Sequence, residues 1–378
     1  MSRRIPMLDL VRLHRPLKRE LLQAFEDILD GGRFIGGEVV DGFERDLAVH
    51  VEAESCVGMS SGTDALLATL TALGVGPGDE VITTGYSFAA TAGSIARLGA
   101  TPVFADIDPE TFNIDPGAVE AAISPRTVGI VPVHLFGQCA DMDPLLAIAR
   151  RRDLFVVEDA AQSLGATYKG RQAGTMGTAG IFSFFPAKNL GALGDGGAVV
   201  TRDAALASRL RKIREHGAVA KHHHELIGGN FRLDALQAAM LAVKLPHMRA
   251  WEAARQRIAD AYRTGLSGLD GIGVPPVRSM CHSVNNQFVI RSAFRDDIRR
   301  RLSSHDIASA VYYPVPLYRQ PCFTPFVSRG RTLPGCDRAA DTALALPMDP
   351  LLDVGDFSEI VAIIQAAAGR ARPARKMA

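Results

Sequence analysis

Between residues 56 and 159 the chain alternates short apolar runs with segments whose apolar residues recur at helical spacing. CVGM (56–59), EVITT (80–84), TPVFADI (101–107) and FVVED (155–159) read as strands, and VGIVPVHLFG (128–137) as a strand leading into a loop. SSGTDALLATLTALG (60–74), SFAATAGSIARLG (87–99), DPGAVEAAI (115–123) and MDPLLAIARRR (142–152) read as helices. Strands this apolar are buried on both sides, and helical crossovers between them make neighbours parallel. The expected fold is therefore α/β, with a mostly parallel central sheet and helices on both faces.

The rhythm changes after residue 248. A long helix (251–269) leads into a strand at NQFVIRS (286–292), a helix (294–306), a strand at ASAVYYPV (308–315) and a last helix (357–369). Fewer apolar runs point to a smaller α+β domain. The expected division is a large domain over 1–248 and a small C-terminal domain over 249–378. The basic run at 370–378 reads as a frayed tail.

One stretch carries chemistry. In IFSFFPAKNLGALGDGGAVV (181–200), Lys188 lies in a loop between two buried strands, beside Gly191, Gly194, Gly196 and Gly197. Most lysines are solvated surface charges. Clustered glycines instead mark a place where backbone approaches something closely. That setting suits an amine desolvated to form a Schiff base. Upstream, FVVED ends in two carboxylates, Glu158 and Asp159, at the edge where open α/β sheets bind ligands. An acid paired to a pyridinium nitrogen is what pyridoxal phosphate requires. The plainer alternative is that Asp159 caps a short helix at AAQS (160–163). Ser61 and Thr63 are N-cap candidates, and Gly62 between them permits close approach to an anion at the helix N-terminus.

The run EDAAQSLGATYKGRQAGTMGTAGIFSFFPAKNLGALGDGGAVVT (158–201) resembles the core signature of DegT/StrS-type sugar aminotransferases. These belong to fold type I of the pyridoxal-phosphate enzymes. The resemblance extends from FIGGEVVDGFE (34–44) to VYYPVPLY (311–318). It implies a homodimer that converts a nucleotide-linked keto-sugar, a 3-keto hexose in particular, to the amino sugar with L-glutamate as donor; a cytoplasmic location is expected from the start MSRRIPMLDL, which has no apolar h-region. Lys188 would hold pyridoxal 5'-phosphate and shuttle a proton, with Asp159 on the pyridinium nitrogen and Gln162 on the phenolate oxygen. Phe88 would stack on the ring, and Gly62, Thr63 and Ser183 would bind the phosphate. Asn230, in GGNFRLD, would reach the phosphate in the neighbouring subunit, so that active sites are shared. Alternatives on the same scaffold are a 4-keto sugar aminotransferase, a sugar dehydratase, or a regulatory relative without turnover. Dehydratases of this branch replace the lysine with histidine, which Lys188 opposes. Two positions depart from the family pattern: Tyr318 stands where histidine is common, and Asp349 follows LPM where LPxHP is common. Both are expected to bear on substrate selection.

Other classes are disfavoured. Across 378 residues, 42 lysines and arginines face 41 acidic residues, so no basic surface for nucleic acid is indicated. The five cysteines show no CxxC or Cys/His spacing, and no metal site is expected. His222, His223 and His224 are consecutive on a loop and point in different directions, which suits solvent or substrate contacts better than a metal. No apolar run reaches membrane-spanning length. No GxGxxG lies between a strand and a helix, as a dinucleotide-binding enzyme would require.

Overall fold

The computed structural model describes residues 4–327 and 330–370. Most of the basic C-terminal tail lies outside them. Seven strands build the central sheet: β1 (Ser55–Met59), β2 (Glu80–Thr84), β3 (Thr101–Ala105), β4 (Thr127–Val131), β5 (Phe155–Asp159), β6 (Ala179–Ser183) and β7 (Gly197–Thr201). Their spatial order is β1-β7-β6-β5-β4-β2-β3. The pairs β2–β3, β2–β4, β4–β5 and β5–β6 are parallel, whereas β7 runs antiparallel to both β6 and β1. The single reversal goes with the link between β6 and β7, which forms turns and no helix, so the two strands close antiparallel without a helical crossover.

Successive residues of each strand alternate between two cores. Cys56, Val156, Phe182 and Val200 pack with Leu21, Phe43, Leu145 and Leu241 from helices on one face. Val57, Val157, Ile181 and Val199 pack with Leu66, Leu70, Ile95 and Leu210 on the other. Burial on both sides explains why these strands read as continuous apolar runs rather than alternating ones.

The C-terminal part contains a second sheet, in the order β8 (Ile272–Gly273), β9 (Phe288–Ser292), β10 (Ala343–Leu346), antiparallel throughout. The Met248–Leu266, Arg295–Ser304 and Val354–Arg370 helices pack over it. Ile5, from the start of the chain, joins that core and bridges to Ile307.

The strand at the start of 128–137 ends at Val131, where Pro132 has no N–H for the ladder, and a loop follows as expected. AAQS, the alternative short helix, forms turns. One local expectation fails. ASAVYYPV makes only one bridge, Ala310 to Ala345. Pro314 interrupts it, and the Tyr313 N–H donates to the Tyr86 hydroxyl (2.7 Å) instead of to a neighbouring strand.

Candidate active site

Two adjacent acids close β5, and the pleat sends them to opposite sides. Glu158 is fully buried. Its carboxylate accepts the N–H groups of Gly174 (2.9 Å), Met176 (2.6 Å) and Gly177 (2.7 Å) and pairs with His134 Nε2 (2.8 Å). Ala140 N–H donates to His134 Nδ1 (3.1 Å), so the ring proton sits on Nε2 and is directed at Glu158. Glu158 thus organises the 174–177 turn and does not point into the crevice, contrary to the expectation for both acids.

Asp159 faces the other way. Its Oδ2 accepts the Thr91 hydroxyl (2.7 Å) and its Oδ1 the N–H of Ala161 (3.2 Å). The second bond is the local cap considered from sequence, here closing a turn. The first comes from a helix 68 residues away and orients the carboxylate.

Lys188 lies in the β6–β7 link. Burial pushes its pKa down from 10.5 to about 8, and the charge of Asp159 opposes the shift. The loop is tied down on several sides. Ala192 N–H donates to Phe184 O (2.7 Å), Leu193 N–H to Gln237 Oε1 (2.9 Å), and Asn189 Nδ2 to Val284 O (3.2 Å). Lys244 Nζ, 1% exposed, donates to Gly191 O from beneath. A Cβ on Gly191 would strike the Pro186 carbonyl, which is why the turn holds glycine.

The Gly62–Ala72 helix starts beside this loop. Ser61 is its N-cap, accepting the N–H of Asp64 (3.0 Å), while Gly62 and Thr63 begin the first turn. Helix geometry leaves early N–H groups without intrahelical acceptors, which suits an anion. Ser183, the last residue of β6, packs against that turn: a Cβ on Gly62 would lie 2.8 Å from Ser183 Cβ. A Cβ on Gly197 would lie 2.5 Å from Ser61 C. This cradle can hold a phosphate, and the nearby amine can condense with an aldehyde. The residues therefore fit pyridoxal phosphate.

Gln162 Oε1 accepts Phe136 N–H (2.7 Å), and its Nε2 donates to the Tyr313 hydroxyl (3.2 Å). Phe88 is 60% exposed, its ring 6.4 Å from that of Tyr313. Asn230 is exposed and bridges to Glu215 through its backbone. Sequence reasoning assigned nothing to Thr91, Tyr86, Tyr313 or Lys244. Tyr313 lies inside the quoted VYYPVPLY segment, so only its role was missed. The two departures are structural. The Tyr318 hydroxyl donates to Asp337 (2.7 Å), and Asp349 accepts the N–H groups of Asp9 (2.7 Å) and Leu351 (2.8 Å). Both side chains are buried and engaged in these bonds. Among the described residues no His, Cys, Asp and Glu cluster could hold a metal ion, and no helix is long and apolar enough to cross a membrane.

The model of the DegT/DnrJ/EryC1/StrS aminotransferase family matches residues 16–365. A pleiotropic regulatory protein of Geobacillus stearothermophilus is 47% identical over 350 residues, 92% of this chain and 94% of its own length. The UDP-2-acetamido-2-deoxy-3-oxo-D-glucuronate aminotransferase of Pseudomonas aeruginosa is 43% identical over 360 residues, 95% of this chain and 99% of its own. Among solved structures, S. venezuelae DesV in complex with a ketimine intermediate aligns with a TM-score of 0.96 at 40% identity. That alignment covers 98% of this chain and 100% of the other.

Proposed function

Since the chain belongs to the DegT/DnrJ/EryC1/StrS aminotransferase family and is an aminotransferase that turns a keto-sugar into an amino sugar, we propose that its substrate is a nucleotide-linked 3-keto hexose and its donor L-glutamate. The observation that carries the reading is the placement of Lys188 in a tied-down, glycine-lined loop beside the Ser61–Thr63 turn, where burial lowers its pKa to about 8 and the Asp159 charge acts on it. Carbon 3 is favoured by the loop KNLGALGDGG, which resembles the 3-aminotransferase branch, and by the 3-oxo sugar of the Pseudomonas relative.

The family implies pyridoxal phosphate, which when bound supplies an electron sink for the amino acid's bonds. Lys188 Nζ would anchor it and then, as a free amine, would carry the proton taken from the donor's α-carbon to the cofactor's C4′ carbon, and in the second half carry one from that carbon to the sugar carbon. Asp159, oriented by Thr91, would hold a proton on the ring nitrogen. Gly62, Thr63 and Ser183 would bind the phosphate, Gln162 would donate to the phenolate oxygen, and Phe88 would cover the ring face.

The regulatory name of the Geobacillus relative favours a second reading, in which the fold is kept for signalling. The complete set Lys188, Asp159 and Gln162 supports turnover instead. A homodimer with Asn230 reaching the neighbour's phosphate site completes the proposal, together with a division near residue 248, where the Met248–Leu266 helix begins. Five unpaired cysteines suit the cytoplasm.

The test is turnover of 3-keto and 4-keto nucleotide sugars with glutamate, followed by mass spectrometry and NMR of the product. Nitrogen at carbon 4 overturns the regiochemistry, and absence of turnover across the panel overturns the sugar reading.

A further inference from the structure

We propose that Tyr313 is a positioning residue that holds the Gln162 amide with its NH2 group turned toward the cofactor's phenolate oxygen, an inference that rests on the pyridoxal phosphate reading above. The orientation of the amide follows from its partners. Phe136 N–H can only donate, so the Gln162 atom 2.7 Å from it must be the oxygen. The nitrogen then faces Tyr313, whose hydroxyl accepts one N–H at 3.2 Å. An NH2 group carries two hydrogens, and the second remains for the phenolate. A reversed amide would set its oxygen against that anionic oxygen and repel it.

Tyr313 is itself fixed. Its N–H donates to the Tyr86 hydroxyl (2.7 Å), and that hydroxyl donates to Tyr312 O (2.6 Å). The Tyr86 and Tyr313 rings meet edge to face at 6.0 Å. Tyr86 is fully buried, two residues past the end of β2. A phenol from the C-terminal segment is thus clamped over the ends of the central strands. It meets both Gln162 and Phe88, which are far apart in the chain. Packing alone would be served by phenylalanine. Among the described residues the hydroxyl's one hydrogen-bond partner is that amide.

Loss of the hydroxyl frees one side of the amide, which then pivots on its bond to Phe136. A weaker donor at the phenolate leaves more charge on that oxygen, and the neighbouring Schiff-base nitrogen holds its proton more tightly. The pH midpoint of the visible chromophore should therefore rise, by roughly half a unit to one unit for partial loss of a hydrogen bond to a charged group.

The experiment titrates the absorbance of the pyridoxal-phosphate-loaded protein in wild type, Tyr313→Phe, Gln162→Leu and the double variant. The expected result is an upward shift in both single variants, with Tyr313→Phe adding nothing once Gln162 is Leu. Tyr86→Phe, which loosens the clamp on the same phenol, should shift the midpoint in the same direction by less. It also keeps the test open if Tyr313→Phe does not fold. An unchanged midpoint in Tyr313→Phe, or additive shifts in the double variant, overturns the inference while leaving cofactor binding intact. A wild type that forms no chromophore with pyridoxal phosphate overturns both.

Discussion

The Thr91 hydroxyl donates to Asp159 Oδ2 over 2.7 Å, joining the first turn of the Ala90–Arg97 helix to the last residue of β5. The bond aims a carboxylate that would otherwise rotate about its own side chain. Thr91→Val keeps the shape and removes the donor. A hydrogen bond to a charged group contributes about 1.5–3 kcal/mol, so kcat/KM should fall roughly 10- to 100-fold. Thr91→Ser should recover most of it. Full activity in Thr91→Val would show that the carboxylate needs no such guide.

Glu158 and Asp159 are neighbours in sequence with opposite fates on substitution. Glu158→Gln puts an NH2 group where the carboxylate accepts N–H groups from Gly174, Met176, Gly177 and the His134 ring. Stranding buried donors should cost at least about 2 kcal/mol, seen as a lower melting temperature. Asp159→Asn should leave the melting temperature near wild type and abolish turnover. The reverse pattern would exchange the roles argued for the two acids.

What was legible in the sequence, and what was not, divides along the same line. The strands of the central sheet announce themselves because each is buried on both faces, and the β6–β7 link because glycines allow close approach at Gly191 within it and at Gly197 where β7 begins. The pleat that separates Glu158 from Asp159 depends on where β5 ends, which its apolar run does not reveal. Thr91 and Tyr313 carry no local sign of their roles. Each acts through one hydrogen bond to a residue 68 or 151 positions away. Their side chains would look equally ordinary in a helix or in a packed loop.

Lys188 gives a pH dependence with a definite sign. Burial lowers its pKa from 10.5 to about 8. In the cofactor-free protein the folded chain has released this proton between pH 8 and 10.5, while the unfolded chain still holds it. The unfolded state therefore binds more protons in that window, and stability rises with pH across it. Below about pH 8 the cost of the buried charge is fully present. Lys188→Met should therefore stabilise the cofactor-free protein at pH 7 by up to roughly 3 kcal/mol, and the gain should vanish toward pH 10.5. Calorimetric melts across that range decide it. A gain independent of pH would place the amine in water.

The Gly197 backbone lies against the start of the Gly62–Ala72 helix, where an added Cβ would sit 2.5 Å from Ser61 C and 2.6 Å from Gly62 N. Backbone cannot yield as a flexible side chain does. Gly197→Ala should displace the helix N-terminus and weaken pyridoxal phosphate binding at least tenfold, on the order of 1.4 kcal/mol. Inorganic phosphate, which competes for the same N–H groups, should lose affinity in parallel. Unchanged affinity for both would remove this turn from the phosphate site.

The proposed sharing of Asn230 between subunits makes a prediction that no single subunit can satisfy. Asn230 is exposed, just before the Ala235–Lys244 helix whose Gln237 and Lys244 hold the Lys188 loop. If its amide reaches the phosphate of a partner subunit, twofold symmetry makes the exchange reciprocal. Lys188→Ala and Asn230→Asp should each be inactive alone. In a mixed dimer, one site then contains both defects and the other contains neither. Equal mixing with free exchange makes half of all dimers mixed, so roughly a quarter of all sites should regain wild-type activity. If Asn230 serves its own subunit, every site of every mixed dimer stays damaged. No recovery after exchange has been demonstrated, for example by native mass spectrometry of differently tagged subunits, would refute the shared site.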